Sequence, residues 1–169
     1  MRRASRRLLV LLLALILTGA CIRVAMMIPG RGVTAEDEAN GDSAMPAMSA
    51  DGRFVAFEST ASNLVPDDTN GVTDIFIRDR QQAMTTRVSS ATGRQANGHS
   101  SYPAISADGR FVAFQSLASN LVAGDTNRDI DIFVHDRDAD GDGRYDVPGQ
   151  ATTTRISIAA GRAPAPGGR

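Results

Sequence analysis

The middle of this chain is a copy of itself. Residues 39–80 align without a gap on residues 96–137, an offset of 57, and 29 of the 42 pairs are identical. The most repeated stretch is SADGRFVAF, at residues 49–57 and 106–114, followed by ASNLV at 61–65 and 118–122 and DIF at 74–76 and 131–133. Beyond the gap-free block, TTRVS at 85–89 matches TTRIS at 153–157 with an offset of 68, so the second copy has gained 11 residues between its third and fourth elements. Internal similarity at a period of tens of residues is the signature of a repeat architecture and decides the fold before any local reading.

Each copy predicts four short strands. The first covers about residues 44–49 and ends in Asp51-Gly52, a pair that tolerates positive φ and favours a hairpin. In the second, at 53–59, Phe54, Ala56 and Glu58 alternate with Val55, Phe57 and Ser59. Both faces of that strand are largely apolar, as in a strand covered on two sides. The third, at 74–78, sets Ile75 and Ile77 opposite Phe76, and the fourth, at 85–89, is rich in β-branched residues. No sustained helical period follows residue 22. Hydrophobic residues at 42% suffice for a core. With a single cysteine no internal disulfide can form, so packing, with or without a metal, has to supply the stability.

The stretch Pro46-Ala47-Met48-Ser49-Ala50-Asp51-Gly52-Arg53-Phe54-Val55-Ala56-Phe57, followed by Asp74-Ile75-Phe76-Ile77-Arg78-Asp79, resembles the WD40-like repeat of the TolB propeller family. The second copy matches it at 103–114 and 131–136, with the family's SPDG core present as SADG in both copies. The resemblance implies an antiparallel propeller in a bacterial, often periplasmic, setting. It does not imply TolB's role in envelope integrity, because the separate amino-terminal domain of that protein has no counterpart here. The expected fold class is therefore all-β: two tandem four-stranded antiparallel β-propeller blades after an amino-terminal signal helix. Blade 1 is placed at 39–94 and blade 2 at 95–162, with an acidic insertion at 138–149. A linker at 21–38 and a disordered tail at 163–169 complete the expected organisation. Propellers close with about 4–8 blades, and two make an incomplete ring. The exposed edges predict self-association or docking on another propeller; the alternative is a truncated remnant of a longer one.

The amino terminus reads as an export signal. MRRASRR is a basic segment, and LLVLLLALILTGA at 8–20 is an apolar run ending in small residues, shorter than the ~20 residues of a comfortable membrane span. LTGAC resembles a bacterial lipoprotein signal, which makes Cys21 a candidate for lipidation and membrane anchoring, although Thr18 stands where that signal usually has Leu. The alternative is a cysteine at the end of a signal cleaved elsewhere. SRRLLV at 5–10 also resembles a twin-arginine signal, but the Leu-rich run suits the general secretory route better. All 18 cationic side chains are arginine, and removing the four in the first seven residues takes the formal charge from −1 to −5. An acidic chain lacks the cationic footprint that nucleic-acid binding requires.

The sharpest local chemistry is DADGDGRYD at 138–146. Asp138, Asp140 and Asp142 alternate, Gly143 follows, and Asp146 closes the pattern, matching the first nine positions of an EF-hand-type Ca2+ loop. Arg144 stands where a backbone carbonyl serves as ligand, and Gly149 replaces the bidentate Glu of the twelfth position. The competing reading is a solvated acidic hairpin loop. A fainter alternation, Asp125, Asn127, Asp129 and Asp131, reads as turn residues bonding their own backbone rather than a metal set.

Catalysis has little support. His99 corresponds to Asp42 and His135 to Arg78, so the repeat needs neither, and GHSSY around Ser100 lacks the second Gly of a nucleophile elbow. The expectation is no enzyme. Arg53 and Arg110 predict a surface or inter-blade salt bridge. The leading expectation is a non-enzymatic, periplasmic or secreted module that binds protein or an envelope component, with membrane contact only through a lipid on Cys21. A calcium-stabilised structural or adhesive protein, using 138–146, is the alternative.

Overall fold

A computed structural model describes residues 38–91 and 93–160. The expected signal peptide at 1–20, Cys21, nearly all of the linker and the tail at 163–169 lie outside the described residues. Strands β1 (Ser43–Met48), β2 (Phe54–Ser59), β3 (Asp74–Asp79) and β4 (Met84–Arg87) form one antiparallel sheet in chain order. A two-residue hairpin, β5 (Ser90–Ala91) with β6 (Arg94–Gln95), follows. A second antiparallel sheet contains β7 (Ser100–Ile105), β8 (Phe111–Ser116), β9 (Asp131–Asp136) and β10 (Thr152–Arg155), also in chain order. No helix occurs among the described residues. The two expected four-stranded blades are present, with strand ends within two residues of the sequence reading. The small β5–β6 hairpin was not expected.

The same local chemistry builds both sheets. At the first turn, Ser49 Oγ donates to Asp51 Oδ1 at 2.6 Å and accepts the Phe54 N–H at 3.0 Å, while Gly52 takes φ +70°. Ser106, Asp108, Phe111 and Gly109 repeat the arrangement. Both first strands carry a bulge, at Ala44/Ala47 and Ser101/Ala104, with Pro46 and Pro103 inside it. Proline lacks the N–H a ladder needs, so it sits on an edge strand at a bulge, where it also blunts unwanted edge pairing.

The core lies between the blades. One face of blade 1 (Phe54, Ala56, Ile75, Ile77, Val88) meets the opposite face of blade 2 (Val112, Phe114, Leu121, Val122, Phe133) in a single buried cluster. The packing is head to tail: each blade uses a different face of the same repeat. Phe54, Ile75 and Val88 are 1%, 0% and 0% exposed, whereas their repeat mates Phe111, Ile132 and Ile156 are 39%, 42% and 49% exposed. Sequence at these positions is nearly identical; only the presence of a following blade differs. Polar rungs fix the register, with Ala50 N–H donating to the Ala107 carbonyl at 2.9 Å, Ser100 N–H to the Thr73 carbonyl at 2.8 Å and Tyr102 N–H to Glu58 Oε2 at 2.9 Å. The hairpin contributes through Gln95, whose Oε1 accepts the N–H groups of Thr69 and Asn70, both at 3.0 Å.

Two substitutions at one repeat position should therefore differ sharply. Phe54→Ala is expected to cost about 3–5 kcal/mol, the range for a buried Phe, and Phe111→Ala under about 1 kcal/mol in the isolated chain. Urea denaturation of both variants measures the difference.

Candidate functional site

The acidic insertion begins directly after the last residue of the gap-free repeat, Arg137. Four of its residues take positive φ: Gly141, Gly143, Asp146 and Gly149. The Asp138 carboxylate turns the chain by accepting N–H groups from Asp142 at 3.0 Å and Gly143 at 3.1 Å. Asp142 Oδ1 in turn accepts the Arg144 N–H at 2.8 Å. Carboxylate oxygens of Asp138, Asp140 and Asp142 all lie within 4.8 Å of one another, with Asp138 buried and the other two exposed. These three are the sequence-predicted metal residues that the fold brings together.

Asp146 is engaged elsewhere. Arg137 holds it by two bonds, Nε to Oδ1 at 3.0 Å and Nη2 to Oδ2 at 2.5 Å, and the Asp146 N–H donates to the Arg137 carbonyl at 2.9 Å. Arg144 extends into solvent, its guanidinium 3.9 Å from Asp142. Arg137 is itself buried, and its Nη1 donates to the Gly109 carbonyl at 2.6 Å. Its guanidinium lies 4.3 Å from the centre of the Phe54 ring and 4.8 Å from that of Tyr145. Tyr145 meets Phe54 edge to face with ring centres 5.3 Å apart, and its hydroxyl donates to the Asp108 carbonyl at 3.2 Å. The insertion thus folds back as a clasp over the seam between blades, and its metal-like half projects from that clasp. Beside it a polar cleft of about 340 Å³ is bounded by Arg53, Asp79, Met84, Arg137 and Tyr145.

Arg137 and Tyr145 escaped the sequence reading. The available signal was that Arg137 aligns with Arg80 and immediately precedes the insertion, and that Tyr145 is one of only two tyrosines in the chain.

The other polar candidates hold structure. Arg53 donates to Asp79 at 2.7 Å and Arg110 to Asp136 at 2.8 Å, each tying the first turn of a blade to the end of its third strand. These salt bridges lie within a blade, not between blades. The hydrogen bond from Arg53 lowers the Asp79 carboxyl below the usual range, and that from Arg110 does the same for Asp136. Two of the alternating acids before the third strand, Asp125 and Asp131, also have a cationic partner. Arg155 Nη1 lies 3.0 Å from Asp125 and 3.1 Å from Asp131, as Arg87 lies 3.0 Å from Asp68 in blade 1. Asp74 is fully buried, and burial raises its carboxyl despite hydrogen bonds from Ser89 and Asn70. Ser100 is buried against the Ser116 hydroxyl at 2.9 Å, and His99 Nδ1 accepts the Thr73 N–H at 3.0 Å.

No protein-family model matches the sequence, and no curated protein matches it. The chain is similar to the solved structure of TolB from Acinetobacter baumannii, with 18% identity and a TM-score of 0.36 over 76% of this chain and 29% of that one. It thus spans under a third of the TolB chain. Each sheet by itself has the four-stranded antiparallel meander of a propeller blade.

His135 gives the seam a pH dependence. It is buried, bonded through Nδ1 to Thr153 Oγ1 at 2.9 Å, and burial lowers its pKa to about 4. Below the unfolded value of 6.5 the unfolded chain binds a proton that the folded state refuses, so stability falls as pH drops from 6.5 toward 4. Each tenfold difference in proton affinity between the two states is worth about 1.4 kcal/mol. Acidification from pH 7 to 5 should therefore cost the native chain about 2 kcal/mol more than His135→Gln. Denaturation at the two pH values checks the difference, which cancels the carboxylates common to both proteins.

Proposed function

We propose that this chain is a non-enzymatic, exported interaction module that docks a protein surface against the open face of its second blade. The observation that carries this reading is the exposure of Phe111, Ile132 and Ile156 at positions whose repeat mates are buried by a neighbouring blade. A face so composed is shaped to be covered, since large apolar patches are uncommon on surfaces that meet only water. Aromatic and aliphatic side chains without polar tips suit a protein surface better than a glycan. The non-enzymatic reading is supported by the engagement of His99, His135, Ser100 and the recurring arginines in structural bonds. The extracytoplasmic setting rests on the basic and apolar pattern of residues 1–20, and lipid anchoring on Cys21.

A photoreactive phenylalanine analogue at position 111 or 132 should give covalent protein adducts in intact cells, and the same group at exposed Arg94 should give none. Absence of adducts at both face positions, or equal labelling at 94, overturns the reading.

A second reading, calcium binding by Asp138, Asp140 and Asp142, is favoured by the convergence of their carboxylates and the short oxygen-rich loop. Asp146 is held by Arg137 and Gly149 stands at the twelfth position, so the loop offers few strong ligands, which supports a weak affinity. Calorimetry on chelator-treated protein should record binding at millimolar calcium with a rise in Tm, both lost in Asp140→Ala. No heat and no thermal shift would exclude it.

A further inference from the structure

We infer that the surface covering the open face of blade 2 is blade 1 of a second copy of this chain, docked head to tail; this rests on the reading of that face as an interaction surface. The junction inside the chain defines what such a cover must look like. There, the Phe54 ring is contacted by the Arg53 guanidinium at 4.5 Å and by that of Arg137 at 4.3 Å. Its ring presses on Gly109 so closely that a methyl group there would stand 2.3 Å from Phe54 Cδ2.

Both halves of this junction recur, unfilled by any of the described residues, on the two outer faces of the blade pair. On blade 2, Phe111 has the Arg110 guanidinium over its ring at 4.9 Å and is 39% exposed. On blade 1, Gly52 has no side-chain atom nearer than 3.7 Å to where its Cβ would stand, which leaves the space that Phe54 occupies against Gly109. Arg80 Nη1 donates to the Gly52 carbonyl at 2.8 Å, the bond that Arg137 makes to Gly109 at 2.6 Å. Arg80 is thus already in the position from which Arg137 covers Phe54. Around this point Val55, Phe57 and Leu64 are half-buried where Val112, Phe114 and Leu121 are buried. Gln115 replaces Glu58 and still offers a carbonyl oxygen for the N–H of Met45, the repeat mate of Tyr102.

A contact between two different faces of identical chains is heterologous, and it closes into a ring when the rotation per blade allows. With two blades per copy, rings of about four to eight blades correspond to about two to four copies. The junction between copies lacks the insertion, having neither Tyr145 nor Asp146 beside Arg80. It is therefore the weaker of the two seams.

The rung from Ala50 to Ala107 provides the test, because the same repeat operation that pairs them within a chain pairs Ala107 of one copy with Ala50 of the next. Full-length chains carrying Cys21→Ser and either Ala50→Cys or Ala107→Cys, each with its own tag, are co-expressed and oxidised in cells with diamide. Neither chain can form an internal bridge, so a covalent dimer bearing both tags is the expected product. Phe111→Asp with Ile132→Asp in the Ala107→Cys chain should abolish it. Ala50→Cys with Ala107→Cys in one chain, with and without the face substitutions, should give an internal disulfide and shows that the blades and their pairing are intact. If the internal bridge forms and the two-tag dimer does not, the proposal is wrong, and it is equally wrong if the dimer survives the face substitutions. Adducts of position 111 with a different protein, alongside no two-tag dimer, would overturn the second copy as occupant while leaving the docking face standing.

Discussion

The contact of Phe54 with Gly109 is the constraint around which the two blades are arranged. Neither sheet can bury its apolar faces alone, because a four-stranded antiparallel sheet of four- to six-residue strands has two faces and no interior. The blades must therefore come within reach of each other's side chains, and the closest approach is where a Phe ring lies on a Gly. Gly109 serves twice there, since its φ of +80° closes the hairpin and its missing side chain admits the ring. Arg137 then covers the outer face of the ring and fastens the insertion through Asp146.

Arginine does this work throughout, and lysine nowhere. A planar guanidinium can hold a carboxylate by two bonds and stack on an aromatic ring simultaneously, which an ammonium cannot. Arg53 and Arg110 brace the first turn of each blade to its third strand, and Arg87 and Arg155 gather the acids of the loop before it. Replication of these ion pairs at both repeats means that each blade carries its own polar frame. The seam is different, being built mainly from apolar contacts and a few backbone rungs.

Much of the fold was legible because duplication makes pattern redundant: two copies of SADGRFVAF located the turn and the second strand twice over. The hairpin at Ser90–Gln95 was not legible, since it occurs once among the described residues and is held by Gln95 reaching residues 67–70. In the insertion, spacing identified Asp138, Asp140 and Asp142 as neighbours but assigned Asp146 to the same cluster. Regular spacing implies one loop; it carries no information about a buried arginine at the root of that loop. Likewise the alternation at 125–131 gave no sign of Arg155, which is distant in sequence and arrives only when the fourth strand pairs. Exposure of Phe111 was beyond sequence reading for the opposite reason, because its residue and context equal those of Phe54.

The clasp also imposes an order on the folding of a growing chain. Phe54 finds its cover only when Arg137, Tyr145 and Asp146 have been made, so blade 1 cannot complete its core from its own residues. Throughout the synthesis of the intervening segment, an aromatic ring and a sheet face stay open to water and to any other strand nearby. Long-range closure of this kind is slow and exposed to aggregation. A chain built from adjacent, nearly identical repeats is especially vulnerable in that interval, because the wrong neighbour looks almost the same as the right one.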